Sequence, residues 1–348
     1  MRIIKYTEDD KAKWDEFVKG AKNTHFMFFR DYMDYHRDRF VDHSLLIYND
    51  ASEIIALLPA NLIERTLVSH SGLTFGGFIM DHRMKTPRMM KIFEAVIKLL
   101  KDINIEEWIY KTIPSIYHTV PAEEDRFCLS CHSAKLIRRD VLSVVDPGHQ
   151  IEFQQRRIRG IKKAIRNGLK VKQTNDFGQF WKVLEQNLLT RYKVKPVHNL
   201  SEIILLADRF LDNIKLFACC KDNEIVAGVV TYETNKVVHA QYIASNEIGK
   251  AYGALDLVFQ YLIKQSAQKR KYFDFGISNE QDTSLNIGLN EFKESFGART
   301  VVHDHYLLQI PPQGDRYERP SNRSLTKKLP YLRIDELNES RFVRWKKE

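Results

Sequence analysis

The feature that most constrains this chain is that its two halves set out the same elements in the same order. In the first half, residues 43–48 read as a strand, 49–52 as a turn and 53–63 as a returning strand, since β-rich apolar runs flank turn-forming residues. A short strand at 67–70 and a glycine-bearing loop at 69–77 follow. Met89, Ile92, Phe93, Val96, Ile97 and Leu100 then recur at helical spacing behind Pro87, predicting a helix with one buried face. Residues 107–113 complete the set as a strand. The second half repeats the plan with strands at 215–220 and 225–231, a third at 237–244, a polar loop at 245–253, a helix at 254–268 and a strand at 272–276. Setting 54–56 on 225–227 gives an offset of 171, and His70 on His239 gives 169, each close to half of the 348 residues. The reading is a duplicated α/β unit, with one copy over 1–145, a second over 146–310 and a basic C-terminal tail over 311–348.

The net charge of +9 is local rather than general. Residues 152–172 carry eight basic side chains against Glu152, and the tail carries ten basic against six acidic. The rest of the chain holds 36 basic and 38 acidic residues, which asks for a local explanation and not for a polyanion-binding surface. The stripe reads as an amphipathic helix stopping at Asn167-Gly168. It is either a solvated helix at the join or a basic wall facing a phosphate-bearing substrate, and its sparse aromatic residues speak against DNA or stacked single strands. The longest apolar run, 54–63, is broken by Pro59 and is far short of the ~20 residues a membrane span needs. No secretory signal opens the chain, and four cysteines make no disulfide framework. These features imply a reduced, cytoplasmic protein, with peripheral contact at the inner face of the membrane left open through the tail.

Several apparent motifs fail on context. Cys128-Leu129-Ser130-Cys131-His132 has the spacing of a c-type haem attachment site, yet sits in a helical run and has no export signal. As a zinc site it lacks a second spaced pair, because the adjacent Cys219 and Cys220 point to opposite faces of a strand. Neither haem nor metal is therefore expected. The phosphate-loop, nucleophile-elbow and dinucleotide fingerprints are absent as well.

What remains is the third strand of the second half, the loop 245–253 and the helix behind it. A polar loop running into a helix offers free main-chain N–H groups and a positive dipole end, a seat for a pyrophosphate. Gly249, Lys250, Tyr252, Gly253 and Ala254 are the candidate cofactor-binding residues there. This order of elements, the linking segment 156–171 and Phe292-Lys293-Glu294-Ser295-Phe296-Gly297 resemble the FemAB-like branch of the GNAT acyltransferases over about residues 1 to 310. The resemblance implies an α/β (α+β layered) fold of two tandem GNAT-like units, each a mixed, mainly antiparallel sheet flanked by helices. It also implies an N-acyltransferase with the donor site in the second unit and substrates in the cleft between the units.

Two departures bear on the donor. The Q/R-x-x-G-x-G/A loop of ordinary GNAT enzymes is not reproduced at 246–254, and the long helical hairpin of bridge-forming transferases is replaced by short helices at 177–194 and 201–212. The expected reaction is acyl transfer, from acyl-CoA as co-substrate, to an amine of a cell-surface polysaccharide, cell-wall or metabolite precursor. Transfer from aminoacyl-tRNA is one alternative, and a catalytically silent binding protein of the same fold is another. Lys293 matches the motif lysine and is expected to meet an oxyanion or a donor phosphate. His239 and Tyr242, taken to face opposite sides of one strand, compete for the part of general base. Asp274, a charge in an apolar strand, is expected in the cleft. His70, Phe75, Gly76, Tyr117, His118 and Arg191 are further candidates for substrate contact, with His198 weaker.

Overall fold

The computed structural model describes residues 1–280 and 282–312, apart from the side chains of Arg191 and Tyr192. The tail expected at 311–348 therefore lies, beyond its first two residues, outside the described residues.

The first half opens with β1 (Arg2–Lys5), α1 (Lys11–Gly20) and α2 (Arg30–Met33). The short β2 (Val41–Asp42) leads into the hairpin β3 (Leu45–Tyr48) and β4 (Ile54–Leu58). The strands β5 (Asn61–Ile63), β6 (Thr66–Val68) and β7 (Ile79–Met80) follow. Next come α3 (Thr86–Asp102), β8 (Glu107–Lys111), α4 (Glu124–Cys131) and β9 (Lys135–Val145). The second half runs through α5 (Gln155–Arg166), β10 (Lys170–Thr174), α6 (Phe177–Tyr192) and α7 (Leu200–Arg209). The hairpin β11 (Ile214–Lys221) and β12 (Glu224–Glu233) precedes β13 (Val237–Ser245). It ends with α8 (Glu247–Tyr252), α9 (Ala254–Gln268), β14 (Tyr272–Ile277), α10 (Ile287–Glu294) and β15 (Arg299–Gln309).

The two hairpins fold where the turn chemistry places them. Left-handed residues at Ser52 (φ 60°), Asp222 (φ 50°) and Asn223 (φ 67°) reverse the chain, and short polar side chains tolerate that conformation best. The expected equivalence of His70 with His239 does not survive. β4 pairs with β7, so Ile79–Met80 is the counterpart of β13, while β5 and β6 belong to the other sheet. His70 ends β6 in a left-handed kink (φ 50°).

The halves are also not closed on themselves at 145/146. One sheet has four strands, β1-β3-β4-β7. The other has eleven, β10-β11-β12-β13-β14-β9-β15-β8-β6-β5-β2. Each half lends its last strand to this common sheet: β9 pairs with β14 of the second half, and β15 inserts between β9 and β8. Three cores result. Met89, Ile92, Phe93 and Val96 of α3 pack with Trp108 in the first, and Val258, Phe259 and Leu262 of α9 pack with Phe296 in the third. Between them, Trp14, Phe26 and Phe28 of the first half meet Phe180, Trp181 and Tyr232 of the second. Burial of such aromatic side chains welds the halves together, at roughly 25 cal/mol for each Å² removed from water.

Candidate active site

The site begins where two parallel strands part. β13 and β14 are paired from Val237–Tyr272 to His239–Asp274, and no further. Two local devices force the fork. On β13, Val230 lies opposite Tyr242 and Thr231 opposite Ala240, so Gln241 is the extra residue of a β-bulge. On β14, Gly276 turns the chain with φ 78°, and an added Cβ would stand 3.1 Å from His239 Cε1.

The bulge corrects one expectation. Skipping one residue restores the alternation out of step, so Val237, Tyr242 and Ala244 pack into one core while Val238 and Ala240 pack into another. His239 and Tyr242 thus face the same side of the sheet, not opposite sides. They still do different things. Tyr242 is buried, 2.5 Å from His198 Nδ1 and edge-on to Trp181. His239 stands at the mouth of the fork with Nδ1 2.9 Å from Asp274 Oδ2.

Asp274 is 1% exposed and is held on three sides. Oδ2 accepts from the Tyr117 hydroxyl at 3.2 Å as well as facing His239, and Oδ1 accepts from the Gly276 N–H at 2.7 Å. Burial works to raise its pKa. His239, its hydrogen bond, the Gly276 N–H and Lys293 together outweigh that and hold the carboxyl below its ordinary value. An ionised Asp274 can only accept, so His239 carries its proton on Nδ1 and presents the Nε2 lone pair.

Around this pair lies a cavity of about 370 Å³ between the halves. His25, Phe75 and Tyr117 come from the first half, and Tyr232, Gln241 and His303 from the second. Burial pushes the His25 and His303 pKa values down to about 3, helped by His239 at His25 and by His305 and Lys111 at His303, so both imidazoles are neutral near pH 7. A second, more polar cavity of about 610 Å³ lies along the C-terminal end of β13, walled by Arg157, Asn187, Ser245, Lys250 and Asn286. The two share Ile243, Leu289 and Lys293.

Lys293, expected to offer its ammonium to substrate, is 3% exposed and engaged. Nζ donates to Gly276 O (2.9 Å), Ile277 O (2.6 Å) and Ser278 Oγ (3.1 Å), which accounts for all three protons. Burial lowers its pKa to about 8, the charge of Asp274 opposing the shift. In this arrangement it holds the open arm of the fork and has no hydrogen to spare for an oxyanion.

The expected pyrophosphate loop is likewise filled. Residues Glu247–Tyr252 form α8, capped by Asn246 Oδ1 accepting from the Gly249 N–H at 2.8 Å. Gly249 packs against the Val226 carbonyl, and Lys250 is paired with Glu247. Gly253 is left-handed (φ 74°), and its Cβ would lie 2.7 Å from Gly160 O on α5. Asp256, in the first turn of α9, is paired with Arg157 at 2.9 Å, so a carboxylate already occupies the dipole end. Gly249, Lys250 and Gly253 do line the polar cavity. Tyr252 lies under Lys221, and Ala254 is buried in the core.

Of the other candidates, Phe75, Tyr117 and Asp274 meet in the cleft cavity. His70 stacks on His36 with ring centres 5.4 Å apart, Gly76 packs on the Ser69 main chain, and His118 is half-buried; none of the three lines either cavity. Arg191 belongs to α6, but its side chain is outside the described set. Sequence reasoning missed His25, which caps a short turn after α1 and carries no motif. His303 left a trace, the same-face pair His303 and His305 in a strand.

A parallel strand pair that forks beside a helix, as β13 and β14 do, is the mark of a GNAT-type fold. The comparisons agree: residues 155–294 match the family model described as acetyltransferase (GNAT) domain. The structure of FemX superposes with a TM-score of 0.61 at 11% identity, covering 87% of this chain and 97% of that one. L-PGS from Bacillus licheniformis superposes with a TM-score of 0.55 at 12% identity, covering 90% and 94%. A conserved protein of unknown function from Bacteroides thetaiotaomicron gives 0.60 at 8% identity, covering 89% and 100%. No curated protein matches the chain. The chain has a FemAB-like GNAT acyltransferase fold.

Proposed function

We propose that this protein is an N-acyltransferase that moves an acyl group from an activated donor in the polar cavity to an amine in the cleft cavity. The observation that carries the reading is the pair of cavities at the fork: they share Ile243, Leu289 and Lys293, and His239 lines the cleft cavity. A donor threaded from one side and an acceptor from the other would have their reacting atoms held together there. His239 Nε2 takes the amine proton as the nitrogen attacks the acyl carbon, Asp274 stabilises the imidazolium, and the carbon–sulfur bond of the thioester breaks. The departing thiolate then recovers a proton from the ring.

Acyl-CoA is the first donor to test, with the acceptor an amine on a cell-surface polysaccharide, cell-wall or metabolite precursor. A second reading, an aminoacyl-tRNA donor, is favoured by the filled phosphate seat and by the exposed cations Arg159, Lys162, Lys163 and Arg166 on α5, the helix that supplies Arg157 to the polar cavity. Calorimetry with a panel of acyl-CoA donors, beside filter binding with charged tRNA, separates the two. Saturable binding of either, with turnover lost in His239→Gln, supports transfer. Binding of neither leaves the silent binding protein and sinks the enzyme reading.

A further inference from the structure

Beyond the cleft cavity, on the same face of the large sheet, β9 and β15 bring together groups that acyl transfer does not use. Asp140 lies directly across from His303, and His305 is two residues along the same strand face. Their ligand-capable atoms all lie within 4.8 Å of one another. A tetrahedral zinc ion with bonds near 2.0–2.1 Å sets its ligand atoms about 3.4 Å apart, so a modest closure of three side chains completes the set.

An independent observation points to a missing partner. His303 is 2% exposed, and its Nε2 has no hydrogen-bond partner; His305 Nε2 has none either. A buried ring nitrogen left without a partner is costly and calls for an explanation. The Thr112 main chain hydrogen-bonds the His303 ring, as outer partners do for metal-binding imidazoles. We propose that Asp140, His303 and His305 form a site for a divalent transition metal of the zinc type, with the fourth position open toward the cleft that His303 lines.

Two cations lie close to this set. Arg138 holds both Asp140 oxygens, at 2.9 and 2.8 Å, but its side chain is 30% exposed and can swing outward. Lys111 is buried and its Nζ donates to the carbonyls of His70 and Leu73. An imidazole of ordinary pKa is neutral at pH 8, as a ligand must be.

The test is metal titration of chelator-treated protein at pH 8, with Zn²⁺ followed by calorimetry and Co²⁺ by visible absorption. One equivalent is expected to bind, with cobalt d–d bands, no thiolate charge-transfer band and a raised Tm. Asp140→Asn and His303→Ala each weaken binding by about 100-fold or more. Arg138→Ala keeps every ligand, removes the competing guanidinium and tightens binding about 2–5-fold. Absence of saturable binding overturns the proposal. So does a thiolate band placing the ion on the free cysteines, unchanged affinity in folded Asp140→Asn, or no gain in Arg138→Ala.

Discussion

At the scale of single residues, the chemistry turns on one imidazole and what orients it. Asp274→Asn leaves the packing in place but removes the anion that fixes the His239 proton on Nδ1. A fall in kcat of about 10²–10⁴-fold is expected, with the KM of the acceptor little changed, read from initial rates. Gly276→Ala attacks the same ring from the opposite side. It forces a side chain into φ 78° and toward His239 Cε1, costing about 1–2 kcal/mol from the backbone alone. A urea midpoint unchanged by that substitution would refute the steric account. Asp274 was legible in sequence because a charge interrupts an apolar strand, and Tyr117 and Phe75 because they sit beside loops. The facing of His239 and Tyr242 was not. Gln241 carries no glycine or proline to announce a bulge, and one inserted residue reverses every side chain beyond it.

At the scale of elements, the fork depends on a lysine that works by holding main chain. Lys293→Met keeps the aliphatic stem and loses three hydrogen bonds, leaving the Gly276 and Ile277 carbonyls short of a donor. Each such loss costs about 1–3 kcal/mol, so the expected destabilisation from the two carbonyls is about 2–6 kcal/mol. Activity should fall at temperatures where circular dichroism still shows a folded protein. If it does not, the arm beyond β14 has no part in turnover. The helices were easy to see from their stripes, with α3 and α9 falling where the apolar spacing places them. In sequence the 245–253 stretch reads as loop, because its glycines mask a capped turn. Gly249 is there for a close approach to Val226 and Gly253 for a left-handed junction against α5, neither of which shows in local sequence.

At the scale of the whole molecule, five histidines with strongly lowered pKa values couple the fold to pH. Burial lowers His25, His70 and His303 to about 3, and His198 and His305 to about 4, with neighbouring charges adding smaller effects. Between these values and 6.5 the unfolded chain binds more protons than the folded one, so stability falls as pH drops through that window. Each contributes about 1.4 kcal/mol at pH 5.5, and the sum rivals the 5–15 kcal/mol of an ordinary domain. Lys111 and Lys293, lowered to about 7 and 8, extend the rise in stability above neutrality by the same sign. Urea midpoints at pH 5.5, 7 and 9 should increase in that order, and a flat series would show that these side chains are hydrated in solution. The exchanged strands make a second prediction. Residues 1–145 and 146–312, expressed separately, should each fail to fold and should recover native circular dichroism only together. Duplication was readable from the repeated hairpins, but the exchange was not, since nothing local to residues 299–309 says which half they will join.

That last strand also sets a clock on biosynthesis. β9 is complete once residue 145 has left the ribosome, yet β15, which must lie between β9 and β8, follows about 150 residues later. At ~5–20 residues per second, the nascent first half waits roughly 8–30 s with two facing strand edges unpaired. The chain must pass that interval as an incomplete sheet, which makes its earliest folding intermediate the species most in need of a chaperone.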